Sequence, residues 1–175
     1  MSRPDKQYRI YADTNNVHIF DEMIAPPDDT YHDTLKFSNV NGALVERCKI
    51  IGTGPEDAVD LMRYSRDIVI RNCTLLAQGK YCITIKGGCK NIILENVIIE
   101  NRGSETEIDL GNRSHFIDEI TDGIILRNVT ASDGKPVRVR VLNAKPPIVE
   151  GGNVKVTVYP KWLVKVIFFV LKLLD

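Results

Sequence analysis

The chain has 175 residues, enough for one domain with a core of ordinary size. Lys plus Arg and Asp plus Glu each number 23, so the formal net charge is zero and the basic excess of a general nucleic-acid binder is missing. The opening MSRPDKQYRIYADT has no apolar run of signal-peptide length. That predicts a protein made in the cytoplasm without Sec-type export.

Taken in chain order, residues 1–33 form an N-terminal segment whose YRIYADTNNVHIFDEM reads as an irregular first coil. From residue 34 short alternating pieces recur: TLKFS at 34, AVDLM at 58, CITIK at 82, EIDLG at 107 and RVRVL at 138. Period-two alternation in pieces this short predicts strand, with inward pairs Leu35/Phe37, Val59/Leu61, Ile83/Ile85, Ile108/Leu110 and Val139/Val141. Between them a longer phrase repeats as GALVERCKI, DIVIRNCTL, NIILENVII and GIILRNVTA, beginning at residues 42, 67, 91 and 123. Asn72, Asn96 and Asn128 occupy one column of that phrase, 24 and 32 residues apart. Each has room only for a one- or two-residue corner, where φ > 0 is common and Asn is tolerated. A later copy, PPIVEGGNVKVTV, places Gly151, Gly152 and Asn153 at the corresponding corner. Cys48 and Cys73 fall on an inward column with Val97 and Val129 and are predicted to be buried reduced thiols. None of the four cysteines, Cys48, Cys73, Cys82 and Cys89, has C-x-x-C spacing.

A repeat of about two dozen residues built of short strands belongs to the solenoids. On these residues, 34–158, the chain resembles the single-stranded right-handed parallel β-helix proteins, the architecture of pectate lyases, polygalacturonases and many phage tailspikes. The resemblance implies an all-β right-handed parallel β-helix of five to six coils, with an asparagine ladder between the second and third strands. The tail 159–175 adds an amphipathic helix: WLVKVIFFVLKLLD is about 20 Å long as a helix, too short for a ~30 Å membrane core. Its wide apolar face, with Trp162, Ile167, Phe168, Phe169 and Leu171, must find a partner. That partner is the open end of the solenoid or a sister chain in a homo-oligomer, with a membrane interface as the alternative.

A packed solenoid leaves chemistry to its outer face and loops. The outward column of the first sheet reads Lys36, Asp60, Thr84, Asp109, Arg140, flanked by Lys86, Glu107 and Arg138. In the resembling enzymes this face binds the sugar chain. The resemblance therefore offers Asp60, Asp109 and Arg140 as catalytic candidates, and Asp60, Glu107 and Asp109 as carboxylates for Ca²⁺ with Arg138, Arg140 or Lys86 as base. Asp60 and Asp109 lie two coils, about 9–10 Å, apart, and side-chain reach brings that near an inverting hydrolase's ~6.5–9.5 Å. Against this, calcium wants six to eight oxygens. The polygalacturonase paired-Asp stretch is matched only by Glu56-Asp57, and its Gly-His-Gly by Gly79-Lys80-Tyr81, without histidine. Opposite charges on neighbouring coils also stabilise a sheet by about 0.2–1 kcal/mol with no function. The stretch 111–122 is longer than its counterparts and carries Arg113, His115 and Phe116 as further recognition candidates. The reading is a non-catalytic binding or structural module that presents the first-sheet face and the 111–122 loop to a glycan or partner, as a phage virion protein does. A polysaccharide lyase or glycoside hydrolase for acidic glycans, and a self-assembling or membrane-associated scaffold, are the alternatives.

Overall fold

The computed structural model describes residues 8–10, 14–26, 32–79, 81–101, 106–111 and 119–172, with backbone alone for 8–10, 101 and 167–172. The alternating pieces become the strands of one sheet: β1 (Tyr8–Ile10), β4 (Leu35–Ser38), β7 (Val59–Met62), β10 (Ile83–Ile85), β13 (Ile108–Leu110), β15 (Val137–Val141) and β17 (Val154–Val158). The longer phrases bend into two strands each. Their first halves, β2 (Asn15–Phe20), β5 (Asn41–Glu46), β8 (Arg66–Arg71), β11 (Lys90–Glu95) and β14 (Asp122–Ala131), stack as the second sheet, with β16 (Ile148–Gly152) beside β14. The second halves, β3 (Met23–Ile24), β6 (Lys49–Gly52), β9 (Thr74–Ala77) and β12 (Ile98–Asn101), stack as the third; β14 runs unbroken through the corner and belongs to both. Every described strand pair is parallel. The result is a parallel β-solenoid of about five coils.

Parallel stacking puts like residues above like. Ile68, Ile92 and Ile124 lie in register, as do Ile70, Leu94 and Leu126. They join Leu35, Phe37, Leu61, Ile83 and Ile85 in one continuous core. Burying each such side chain contributes about 1.5–3 kcal/mol. Cys48 and Cys73 sit in this core on adjacent coils as free thiols, the Cys48 peptide N–H donating to Cys73 Sγ at 3.4 Å.

At the corner between the second and third sheets Asn72, Asn96 and Asn128 have φ of 54°, 51° and 50°. Asn96 Nδ2 donates to Asn72 Oδ1 at 3.1 Å, and Asn128 Nδ2 donates to Asn96 Oδ1 at 3.2 Å. The column continues towards the N-terminus as Arg47 and Asp21, both also at positive φ and joined by an ion pair of 2.6 Å. Towards the C-terminus Gly151, not Asn153, takes the position. Its φ is 73°, and a Cβ there would come within 2.6 Å of Asn128 Oδ1. Asn153 lies past the corner and donates to the Gly134 carbonyl instead.

A second left-handed column runs one residue inside the second sheet: Asn16, Gly42, Asp67, Asn91 and Gly123, all at positive φ and in register. Asn91 Nδ2 donates to Asp67 Oδ1 at 3.0 Å. Gly42 and Gly123 stand where a Cβ would meet the side-chain oxygen of Asn16 or Asn91 below 3.0 Å. Two left-handed ladders thus flank the central residues of β2, β5, β8, β11 and β14.

After β17 the chain turns into α1 (Lys161–Lys172), with Pro160 at its start. The Pro160 carbonyl accepts from the Leu163 and Val164 peptide N–H groups. Val164 is buried, whereas Trp162 is 66% and Val166 50% exposed. The side chains of Ile167, Phe168, Phe169 and Leu171 lie outside the described ones. No helix among the described residues is long and apolar enough to cross a membrane.

Candidate functional site

The register of the first sheet assembles the predicted outward column directly: Lys36 beside Asp60, Asp60 beside Thr84, Thr84 beside Asp109, and Asp109 beside Arg140. Thr157 of β17 extends it by one rung.

The column is not the wet face that alternation implies. Asp60 is 1% exposed, and Thr84 and Asp109 are fully buried, although their strands are short and point them away from the core. Long cationic side chains lie over them. Lys36 and Lys86 reach Asp60 at 2.9 and 3.0 Å, contacts close in distance but poorly aligned as hydrogen bonds. Arg140 holds Asp109 with two bonds, Nε to Oδ1 at 2.8 Å and the terminal nitrogen to Oδ2 at 3.0 Å. The same terminal nitrogen donates to the Tyr81 hydroxyl at 2.7 Å, and the guanidinium lies over the Tyr81 ring. Arg138 clasps Glu107 through its guanidinium and its own peptide N–H. These contacts show in the protonation of the cations. Burial works against the Lys36 ammonium, but Asp60 and Asp33 outweigh it and hold it above its usual range. The hydrogen bonds to Asp109 do the same for Arg140.

Asp60, Glu107 and Asp109, the carboxylates offered for calcium or for acid–base work, are therefore each engaged by Lys or Arg. A buried carboxylate held by cations is a poor base and a poor ligand for a second cation. The second sheet gives a useful contrast. Its outer column alternates as Glu46, Arg71, Glu95, Arg127, Glu150, and Arg127 alone binds two of them, at 2.8 and 2.6 Å. That row is a closed charge ladder whose opposite signs satisfy one another.

The first-sheet row does not close at its C-terminal end. Thr106, Arg138, Val139, Arg140, Lys155, Thr157 and Tyr159 line a cavity of about 210 Å³. Lys155 lies beside Arg138 in the register; it is exposed and has no ion pair among the described residues. Among the described residues, Arg138, Arg140 and Lys155 stand here beside Glu107 and Asp109. Three of the lining residues, Thr106, Thr157 and Tyr159, carry hydroxyls. The cavity is smaller than the ~300–1,000 Å³ of most ligand pockets, so it suits one anionic group or sugar ring of a chain lying along the sheet.

Residues 10–118, well over half of the chain, match the family model of the right handed beta helix region. The chain belongs to this right-handed β-helix family. No curated protein and no solved structure matches it. The β-helix scaffold hosts many chemistries, so function has to be argued from the residues on its faces.

Of the recognition candidates in the 111–122 stretch, Arg113, His115 and Phe116 lie outside the described residues. The end of that stretch is anchored: Tyr64 Oη donates to Glu119 Oε1 at 3.0 Å, and Thr121 bridges to Ala144. Two parts of the face do not announce themselves in the sequence. One is Lys155 with Thr157 and Tyr159, which follow the last clear repeat; the alternation of VKVTV was the available signal. The other is a corner of carboxylates, Asp33, Glu56 and Asp57, beside the first-sheet row. Burial raises the Asp57 carboxyl to about 7, the Thr84 hydroxyl opposing and Asp33 and Asp60 adding to it.

Proposed function

We propose that this β-helix is a non-catalytic binding module that takes an acidic glycan on its first-sheet face, at the cleft of Arg138, Arg140 and Lys155. The observation that carries this is Lys155, without an ion pair among the described residues, beside two arginines at a cavity that Thr106, Thr157 and Tyr159 also line. A uronate residue offers the matching pattern, one carboxylate for the cations and ring hydroxyls for Thr106, Thr157 and Tyr159. Lysine on an edge strand also discourages edge-to-edge pairing, but that role does not require hydroxyls around it. Arg138 and Arg140 are pre-positioned by their carboxylates, so little side-chain entropy remains to be lost on binding.

The catalytic alternative, a lyase or inverting hydrolase working through Asp60, Asp109 and Arg140, has less support because both carboxylates are buried and committed to ion pairs. A second reading rests on α1. Its exposed Trp162 and Val166 support self-association into a homo-oligomer or larger assembly, with a membrane surface as the competing partner.

Calorimetric titration with oligouronates, beside neutral oligosaccharides of equal length, tests the glycan reading. Uronate binding that weakens with salt and falls about tenfold in Lys155→Ala is expected, since one charge-assisted hydrogen bond is worth about 1.5–3 kcal/mol. Equal binding of neutral and acidic chains, no binding of either, or release of cleavage products would overturn it.

A further inference from the structure

The corner column between the second and third sheets has one step that its side chains do not link. Asp21 and Arg47 are ion-paired, and Asn72, Asn96 and Asn128 are hydrogen-bonded in series. From Arg47 to Asn72, among the described residues, no side-chain hydrogen bond or ion pair runs. The next residue on each of these two coils is a cysteine, Cys48 and Cys73. The two are register partners, since Lys49 and Thr74 follow them as a pair. Cys82 and Cys89 have no thiol beside them. By register Cys82 stands between Ala58 and Glu107, and Cys89 between Ser65 and Thr121.

Neighbouring strands of a sheet stand about 4.8 Å apart, inside the roughly 4.4–6.8 Å that separates the Cα atoms of a disulfide. Cys73 Sγ leans towards the second coil, accepting from the Cys48 N–H at 3.4 Å and lying 3.6 Å from the Val45 carbonyl. Cys48 Sγ leans one coil further, 3.7 Å from the Ile19 carbonyl. A single turn about the Cys48 Cα–Cβ bond brings it round to Cys73. The two sulfurs also differ in acidity. Hydrogen bonding with Cys73 draws the Cys48 thiol below its usual value against the effect of burial. The same contact, with burial, holds Cys73 above its own. The thiolate is the nucleophile, so an attacking sulfur stands beside one that can resolve the product. Both are almost fully buried, at 3% and 2% exposure, which admits only a small oxidant. The strand over Cys48, β3, is two residues long and pairs on one side only among the described residues. Opening there reaches the thiol at less cost than opening the middle of the stack.

We infer that Cys48 and Cys73 form a redox modification site, an inter-coil disulfide that a peroxide closes. The Cys48 thiolate attacks the peroxide O–O bond. A sulfur–oxygen bond forms, giving the sulfenic acid, and the other oxygen leaves as hydroxide, which becomes water with the proton the thiol gave up. The Cys73 sulfur then displaces the hydroxyl from Cys48, and its own proton leaves with that hydroxyl as a second water. Two thiols are oxidised to one disulfide and one hydrogen peroxide is reduced to two waters. The bond joins residues 25 apart in sequence, beside the one step that the corner side chains leave unlinked. It staples the second coil to the third and restricts the unfolded chain.

Hydrogen peroxide treatment of the full chain, followed by alkylation of the remaining thiols in denaturant and peptide mapping by mass spectrometry, tests the site. A Cys48–Cys73 linkage within one chain is expected, with Cys82 and Cys89 recovered alkylated. The linked chain should melt at a higher temperature than the same sample after dithiothreitol, which reopens the disulfide and leaves any methionine sulfoxide in place. In Cys73→Ala the linkage should be lost and the Cys48 sulfenic acid should be trapped by dimedone, whereas Cys82→Ala should link as the wild type does. The exposed Met23 gauges the dose, since its oxidation shows that peroxide has acted. Recovery of both Cys48 and Cys73 as alkylated thiols once Met23 is fully oxidised would overturn the proposal. So would a linkage to Cys82 or Cys89, or a linked chain that melts no higher than the reduced one.

Discussion

The asparagine corner can be dissected at Asn96, the middle rung, by comparing replacement with alanine and with glycine. Asn96 makes two ladder hydrogen bonds, donating to Asn72 and accepting from Asn128, at 3.1 and 3.2 Å. It also holds φ at 51°. Alanine loses both bonds and is left in a left-handed conformation that costs about 1–2 kcal/mol. The bonds are exposed to solvent, so each sits near the low end of the usual ~0.5–1.5 kcal/mol. Asn96→Ala should therefore destabilise by about 2–3 kcal/mol. Glycine loses the same bonds but adopts positive φ freely, paying instead about 0.5–1 kcal/mol for a more flexible unfolded chain. Asn96→Gly should cost about 1.5–2 kcal/mol, less than alanine. Urea denaturation followed by far-ultraviolet circular dichroism measures both, with unchanged m-values showing that the unfolded states are comparable. If glycine proves more damaging than alanine, or if both fall within about 0.5 kcal/mol of wild type, the ladder does not hold the corner in the way argued.

Arg140→Met should destabilise by about 3–5 kcal/mol, because it strands the fully buried Asp109 carboxylate, whereas Asp109→Asn leaves a guanidinium that is 27% exposed and within reach of water and should cost clearly less; equal losses in denaturation would contradict the assigned asymmetry. The Asp57 contribution to stability should rise as pH falls from about 7 towards 4. Asp57 binds its proton near 7 when folded and at 3.8 when unfolded, so its ionisation penalty, up to about 4 kcal/mol, disappears on protonation; in Asp57→Asn that component should be absent from the melting profile. Removing residues 161–175 should leave the solenoid folded, losing the burial of Val164, worth about 1.5–3 kcal/mol, and should lower its association state in light scattering; an unchanged mass would remove α1 from assembly.

Much of the scaffold is readable from residue types alone, because a parallel solenoid repeats each environment and so repeats its residue. Ile68, Ile92 and Ile124, or Asn72, Asn96 and Asn128, announce one column because they are alike. The second left-handed column hides because its demand, a positive φ, is met by three different types: Asn16 and Asn91, Gly42 and Gly123, and Asp67. Gly151 hides the end of the first column for the same reason, since next to Asn128 there is no room for a side chain. The charged row was legible as a row, and the pairing of Lys36 with Asp60 and of Asp109 with Arg140 followed from coil adjacency. Its burial was not. An outward strand position is wet by default, and only side chains arriving from other rungs, Lys86 and Tyr81 among them, close it over. The acidic corner joins Asp33 to Glu56 and Asp57 across neighbouring coils and outside either repeated phrase, so no local pattern displays it.

The most direct test of the glycan assignment is chemical-shift mapping of an isotope-labelled chain titrated with a short oligouronate. The account predicts shifts concentrated on Thr106, Arg138, Arg140, Lys155, Thr157 and Tyr159, with the second-sheet row around Arg71 and Arg127 unmoved. Shifts centred on that second-sheet row, or none on the first-sheet cleft at saturating ligand, would contradict it.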